Sequence, residues 1–230
     1  MTHNWVKLAV AGALLAGSTA SFADLSGSVA VTSDYLFDGK SQTDNSPALQ
    51  LGLDYGTESG FYAGAWFSNV DFGGEISLET DLYAGFTFGN DVISWDIGFV
   101  QYIYTDNFSS PPSDEDSDYN ELYIGMTLVD NLTLKYWYAD DYASSGVDGQ
   151  RIKATYEVAI NDTWSVPLEY TYTEIDSEDY NHVRVGIAAN FEPLTVDVSY
   201  HYTDVDVGVG EDPDLVAADG LIVATVTFSF

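Results

Sequence analysis

The chain has 230 residues, with 37 Asp and Glu against 6 Lys and Arg, so its formal net charge is −31. This acidic balance argues against nucleic acid and anionic lipid surfaces as partners, because both require a basic patch that neutralises phosphate. The absence of cysteine excludes disulfides, thiolate metal sites and cysteine nucleophiles. The 17 Tyr, 12 Phe and 5 Trp indicate alternating strands in lipid rather than a water-soluble core.

The first residues have the pattern of a secretory signal peptide. Lys7 precedes a short apolar stretch over residues 8–16, and Ser21, Phe22 and Ala23 form a small-x-small cleavage site. We therefore expect a cleaved signal peptide at 1–23 and one mature domain at 24–230. Since no stretch of the sequence reaches the ~18 apolar residues that a transmembrane helix needs, a membrane crossing must use strands.

Twelve runs of alternating polarity follow, at 25–37, 47–55, 61–70, 75–88, 92–105, 119–129, 132–139, 150–160, 163–174, 181–191, 194–203 and 221–230. Their connections alternate between tight turns and longer segments rich in Asp, Ser, Gly and Pro. This predicts an all-β transmembrane antiparallel up-and-down β-barrel of about 12 strands, with short periplasmic turns and longer extracellular loops. The connections expected outside are 38–46, 71–74, 106–118, 140–149, 175–180 and 204–220.

The final run supports an outer-membrane barrel. One of its faces carries five apolar side chains, Ile222, Ala224, Val226, Phe228 and Phe230. A terminal strand that ends on an aromatic residue is typical of such barrels, in which the last strand pairs with the first and removes both sheet edges. The C-terminus therefore predicts a protein of the Gram-negative outer membrane.

A tyrosine repeat marks the ends of four runs, as Y-x-Y-x-acid at 102–106, 136–140, 170–174 and 200–204. Because tyrosines two residues apart share a face and collect at membrane interfaces, we expect them to form an outer aromatic girdle. In the fifth run the residues at odd-numbered positions and those at even-numbered positions (the two parities) both look lipid-facing. This predicts a β-bulge near Gly98 and Phe99.

Three segments resemble a known family: SDYLFDGKSQT at 33–43, GFYAGAWFSNVDFG at 60–73 and DLYAG at 81–85. They are similar to the proteobacterial TorF family, whose members are catalogued as porins and as conserved proteins of unknown function. The resemblance implies an outer-membrane barrel and names no reaction. The family pattern has Arg before the glycine of the first segment, where this chain has Asp38, so the resemblance implies a change of charge at that loop position.

Parity separates the charges expected in the lumen into two walls. The basic wall comprises Arg151, Lys153, His182, Arg184 and His201, and the acidic wall comprises Glu75, Glu79 and Asp81, with Asp54 beside them. One interpretation is a transverse field that admits cations or zwitterions. The other is that polar lumens hold charges by default, with Arg184 paired to Glu169 or Asp197 for stability.

Catalysis and metal binding are the alternatives. Asp197, Ser199 and His201 share one strand face, but Ser199 and His201 lie about 7 Å apart along the strand, which we expect to be too far for a nucleophile–base hydrogen bond. We therefore expect no enzyme, no cofactor and no catalytic metal. The acidic loops 114–118, 174–179 and 211–214 could bind Ca²⁺ or Mg²⁺, although they lack EF-hand spacing.

The sequence thus predicts a monomeric porin-like channel for ions or small solutes that prefers cations and whose partners are outer-membrane lipid and lipopolysaccharide. A barrel of twelve strands should have a narrow lumen. The alternatives are a non-conducting barrel that acts as a surface binding or structural protein and, less favoured, an outer-membrane enzyme.

Overall fold

The computed structural model describes residues 24–90, 92–105, 117–128, 131–176, 178–205 and 220–230. The expected signal peptide at 1–23 lies outside the described residues. No helix in these ranges is long and apolar enough to span a membrane.

The described chain forms fourteen strands: β1 Asp24–Thr32, β2 Leu36–Phe37, β3 Lys40–Ser41, β4 Ala48–Gly56, β5 Phe61–Asn69, β6 Leu78–Gly89, β7 Ile93–Thr105, β8 Tyr119–Leu128, β9 Leu132–Ala139, β10 Gly149–Ala159, β11 Trp164–Ile175, β12 Glu178–Asn190, β13 Leu194–Thr203 and β14 Leu221–Ser229. Twelve of them form a closed antiparallel barrel, and β2 and β3 form a separate hairpin. The predicted twelve-stranded barrel is confirmed.

Closure of the barrel occurs between its first and last strands, as the C-terminal pattern predicts. Val31 lies opposite Val226 in the β1–β14 ladder. The ladder ends with two backbone hydrogen bonds between Gly27 and Phe230, at 2.8 and 2.9 Å. We call the end of the barrel where β1 begins and β14 ends the turn end, because the short connections lie there, and we call the opposite end the loop end.

The outward face of the barrel is apolar. Exposed aromatic side chains surround the turn end, at Tyr55, Phe61, Phe86, Phe88, Trp95, Trp164, Phe191, Phe228 and Phe230. A second group lies near the loop end, at Tyr138, Tyr170, Tyr200 and Tyr202. Aliphatic residues occupy the zone between them, including Leu51, Leu53, Leu122, Ile124, Ile152, Val183 and Val185. Two aromatic girdles around an apolar band are typical of a barrel embedded in lipid.

Strand β7 departs from the expected pattern. Its pairing with β6 is continuous from Leu78 opposite Thr105 to Gly89 opposite Ser94, so the predicted bulge is wrong. Tyr102 and Tyr104 consequently point inward and are 4% and 8% exposed. They were expected in the outer girdle, and that prediction is wrong for this pair because both faces of β7 carry large apolar side chains.

The first strand and the first loop also differ from expectation. Strand β1 ends at Thr32, whereas a single strand was expected over 25–37. The chain then turns inward through residues 33–47, which include β2 and β3 and which we call the inserted hairpin. Of the connection at 38–46, expected outside, Asp38, Ser41 and Thr43 are therefore buried in the barrel, whereas residues 44–46 are exposed.

Candidate functional site

The charged interior of the barrel is the candidate site. The five basic-wall residues named from the sequence all face the lumen from β10, β12 and β13. Across the β12–β13 ladder, Arg184 lies opposite His201 and His182 lies opposite Thr203, as predicted. Parity was sufficient here because the outward positions in the middle of these strands are apolar, as at Ile152, Val183, Val185 and Val198.

Each cation of this wall has an acidic partner nearby. Arg151 Nη2 lies 2.6 Å from Glu121 Oε2. Lys153 Nζ lies 3.2 Å from Glu169 Oε1, and Arg184 Nη2 lies 2.8 Å from Asp197 Oδ1. Charges are thus compensated locally in the wall, rather than only across the lumen.

The inserted hairpin supplies a further acid to the same wall. Asp38, at its tip, lies 2.9 Å from Lys153 Nζ and 3.2 Å from Arg151 Nη1. Burial disfavours the ionised Asp38 carboxyl, but Lys153 and Arg151 outweigh this effect and lower its pKa to about 2. Asp38 is therefore a carboxylate at neutral pH.

Contacts on several strands show that the hairpin fills the lumen. The ring of Tyr35 lies 5.2 Å from that of Trp66 on β5, and the ring of Phe37 lies 6.1 Å from that of Tyr102 on β7. A Cβ at Gly39 would lie 2.9 Å from His182 Cδ2 on β12. Together with the ion pairs to β10, these contacts reach around the barrel wall.

The tip has the geometry of a two-residue hairpin turn. Asp38 and Gly39 both have positive φ, at 47° and 88°. Type I′ turns require this conformation at both central positions and favour Asp-Gly there. The Asp38-Gly39 dipeptide is therefore a local signal for this hairpin, which the alternation of polarity alone does not predict.

The acidic residues of β6 lie in a separate buried group. Glu79 and Asp81 point inward and are 1% and 8% exposed. Glu79 accepts a hydrogen bond of 3.1 Å from the Tyr104 hydroxyl. Glu75 is exposed in the connection before β6, which begins at Leu78 rather than at Glu75, so the structure does not bring it together with the other two.

A further ion pair, near the turn end, was not predicted from the sequence. Lys135 Nζ on β9 lies 2.9 Å from Asp96 Oδ2 on β7, and the Tyr62 hydroxyl donates to Asp96 Oδ1 at 2.5 Å. Asp96 could have been found from the outward Ile97 if the bulge had not been assumed. Glu121 could have been found from its parity with the inward Tyr123 on β8.

The distance argument against a serine–histidine pair is wrong. Ser199 Oγ lies 3.0 Å from His201 Nε2 and donates to Asp197 Oδ1 at 2.9 Å. The length of the imidazole closes the gap along the strand. His201 Nδ1 lies 3.0 Å from His182 Nε2 in a stacked pair. Ser199 and His201 are only 3% and 7% exposed, so neither presents a reactive group to solvent.

A cavity of about 270 Å³ lies at the loop end, above the hairpin. Its walls are aromatic and include Phe37, Phe72, Tyr104, Tyr119, Tyr142 and Tyr180. Lys40 lines it with its ammonium 4.9 Å from the centre of the Tyr180 ring. The cavity forms a vestibule whose floor is the inserted hairpin.

The described residues contain no group of three or more His, Asp or Glu placed to hold a metal ion. The acidic segments at 114–116 and 211–214, where Ca²⁺ or Mg²⁺ was considered, lie outside the described residues.

The sequence matches a family model described as "Bacterial protein of unknown function (Gcw_chp)" over residues 16–230, and the chain belongs to this family. This agrees with the unknown-function description in the resemblance noted above; the TorF name is not confirmed. The comparison with curated proteins found no match.

Solved barrels have the same fold. The NanC porin structure aligns with a TM-score of 0.58 at 14% identity, covering 90% of this chain and 99% of the porin. The KdgM porin aligns with a TM-score of 0.56 at 13% identity, covering 89% and 99%. A second KdgM structure, in complex with disordered oligogalacturonate, aligns with a TM-score of 0.54 at 13% identity, covering 89% and 99%.

Proposed function

We propose that this protein is an outer-membrane channel for passive movement of ions or small solutes, with a preference for cations. The charge of the lumen carries the proposal. Ten acidic side chains of the described residues face the interior: Asp34, Asp38, Asp54, Glu79, Asp81, Asp96, Glu121, Glu157, Glu169 and Asp197. Five basic ones do so: Lys40, Lys135, Arg151, Lys153 and Arg184.

The formal balance of the lumen is therefore negative by five charges when the histidines are neutral. A polar lumen with one sign of charge in low-dielectric walls concentrates counter-ions and repels co-ions. The ion pairs described above neutralise four of the five bases. Asp54 and Glu157 have no ion-pair partner among the described residues and, unlike the buried Asp34, Glu79 and Asp81, are half-buried. They are the residues through which we expect the excess charge to act.

The likeness to KdgM and NanC supports the fold of a porin, and the aromatic girdles support a membrane location. Oligogalacturonate, present in one KdgM structure, is an acidic ligand. The acidic interior of this chain favours cationic, zwitterionic or neutral solutes instead. We also retain the signal peptide at 1–23, a monomeric state and contact with lipopolysaccharide as parts of the proposal.

A second candidate function is a non-conducting barrel that binds a ligand at the cell surface. The closed floor of the vestibule, formed by the inserted hairpin, is the observation that favours it. Catalysis is not proposed, because Ser199 and His201 are buried, at 3% and 7% exposed.

Planar-bilayer recordings of the refolded mature protein test the channel. Under a KCl gradient, the reversal potential should show preference for K⁺, and the preference should weaken as salt screens the lumen charges. The variant Asp54→Asn/Glu157→Gln should reduce it. Glu192→Gln, in an exposed turn, is the matched control and should leave it unchanged. Preference for Cl⁻ would contradict the proposal, and saturable ligand binding without conductance would favour the receptor.

A further inference from the structure

We propose that the inserted hairpin is a displaceable gate, latched in the lumen by Asp38 on Arg151 and Lys153. The inference rests on the proposed channel function and assigns the residues that control it. The hairpin tip packs closely against the wall: His182 is 2% exposed, Glu121 1% and Thr203 0%. Passage of a solute through the barrel at this level therefore requires the hairpin to move.

The hairpin is internally bonded and can move as one unit. Asp34 Oδ1 accepts hydrogen bonds from Ser41 Oγ at 2.7 Å and from Thr43 Oγ1 at 3.0 Å. The backbone N–H of Gln42 donates to Tyr35 O at 2.7 Å. Because these bonds are made within the hairpin, they persist when it leaves the wall.

The wall remains charge-compensated when the hairpin leaves. Arg151 keeps its ion pair with Glu121, and its guanidinium also lies 4.6 Å from the centre of the Trp137 ring. Lys153 likewise keeps its ion pair with Glu169. Removing one partner of a buried ion pair is strongly destabilising when the other charge is left uncompensated. The departure of Asp38 leaves neither Arg151 nor Lys153 uncompensated. Asp38, once outside, is hydrated.

Contacts at the tip hold the closed state, together with the ring contacts of Tyr35 and Phe37 and the hydrogen bond from Asp71 N–H to Gln42 O. Asp38 contributes both ion pairs, and the Arg151 guanidinium lies 4.4 Å from the centre of the Phe37 ring. Gly39 has a positive φ and lies close to His182, so a larger residue at this position weakens the closed state unless a cross-link holds it. Replacing Asp38 by Asn removes the ionic contacts of the closed state and none of the open state, so it should shift the equilibrium towards opening.

A disulfide between hairpin and wall tests the gate directly, because the native chain has no cysteine. A Cβ at residue 39 would lie 3.1 Å from Thr203 Cβ, so a small shift brings Gly39→Cys and Thr203→Cys within disulfide distance. The double variant, refolded as the full mature barrel, should lose conductance on oxidation by about tenfold or more and regain it with dithiothreitol. Each single variant under the same oxidant is the control.

A second variant keeps the test valid if the cysteine pair fails to fold. Asp38→Asn should raise the open fraction about tenfold, since the closed state loses a buried charge pair. Equal conductance of the oxidised and reduced double variant, with the cross-link verified, would overturn the gate and leave the channel standing. Absence of conductance in the reduced double variant, in Asp38→Asn and in the native protein would overturn the channel, and the gate with it.

Discussion

The ammonium group of Lys135 on β9 lies 2.9 Å from Asp96 Oδ2 on β7, across the intervening strand β8. Gly125 on β8 lies opposite both Asp96 and Lys135 in the two ladders, so no side chain stands between the ammonium and the carboxylate. Both charged side chains are buried. Within the described residues, Lys135 is the ion-pair partner of Asp96, so the negative charge of the Asp96 carboxylate is compensated by a single base.

Lys135→Met should therefore destabilise the barrel by about 3–5 kcal/mol, the usual effect of leaving one buried charge uncompensated. The measurement is the urea unfolding midpoint of the refolded protein in lipid vesicles. Adding Asp96→Asn should recover much of the loss. Lys40→Met is the matched control, because Lys40 contacts an aromatic ring rather than a carboxylate, and it should change stability by less than about 1 kcal/mol. An unchanged midpoint for Lys135→Met would contradict the assignment.

The inward orientation of β7 can be tested with hydroxyl deletions. The Tyr102 hydroxyl donates to Glu121 Oε2 and accepts from Arg151 Nη2, both at 2.9 Å. Tyr102→Phe should cost about 1.5–3 kcal/mol, since hydrogen bonds to charged groups are lost. Tyr202→Phe, on the outward face, should change stability by less than about 0.5 kcal/mol. Equal effects on the unfolding midpoint would argue for the lipid-facing orientation expected from the sequence.

Strand number, order and closure could be predicted from the sequence, because alternation with period two and tight turns are local signals. The orientation of β10, β12 and β13 followed in the same way. Parity failed on β7, where Trp95 and Ile97 on one face and Val100 and Tyr102 on the other are equally bulky. No local sequence signal indicates that the Tyr102 hydroxyl has two charged partners inside the lumen.

Two long-range relationships were beyond local patterns. The hairpin enters the lumen because Asp38 meets cations that lie 113 and 115 residues further along the chain. Its Asp-Gly turn predicts a hairpin but not the direction in which it folds. Spacing along a strand also misjudged Ser199 and His201, since the reach of two side chains can close a gap that the backbone leaves open.

The orientation of the barrel predicts which positions are accessible at the cell surface. Asp140, exposed at the loop end, and Asp162, exposed in a turn at the other end, are suitable for cysteine substitution in this cysteine-free chain. In whole cells, a membrane-impermeant maleimide should label Asp140→Cys and not Asp162→Cys. After lysis both should react, which controls for intrinsic reactivity. The reverse labelling pattern would invert the topology.

The latch should be insensitive to pH over the physiological range. Because Lys153 and Arg151 lower the pKa of Asp38 from 3.8 to about 2, its ionised form stabilises the closed state fully above pH 3.8, and this stabilisation is lost as the pH falls through about 2. The ratio of open fractions between Asp38→Asn and the native protein should stay constant from pH 8 to pH 5. The ratio cancels titration of those shared groups that do not interact with Asp38. A change in this ratio with a midpoint near pH 6 would contradict the low pKa.

Arg184 provides a test of selectivity at a site away from the gate. It lies 2.8 Å from Asp197 Oδ1, and both side chains retain partial exposure, at 11% and 15%. Arg184→Gln should free the Asp197 carboxylate and increase the preference for K⁺ in reversal-potential measurements, because the lumen loses one positive charge. Arg184→Gln/Asp197→Asn restores the charge balance and should return the preference to the native value. If Arg184→Gln lowers the unfolding midpoint while selectivity stays the same, the pair is a structural contact and the lumen charge at this level does not act on passing ions.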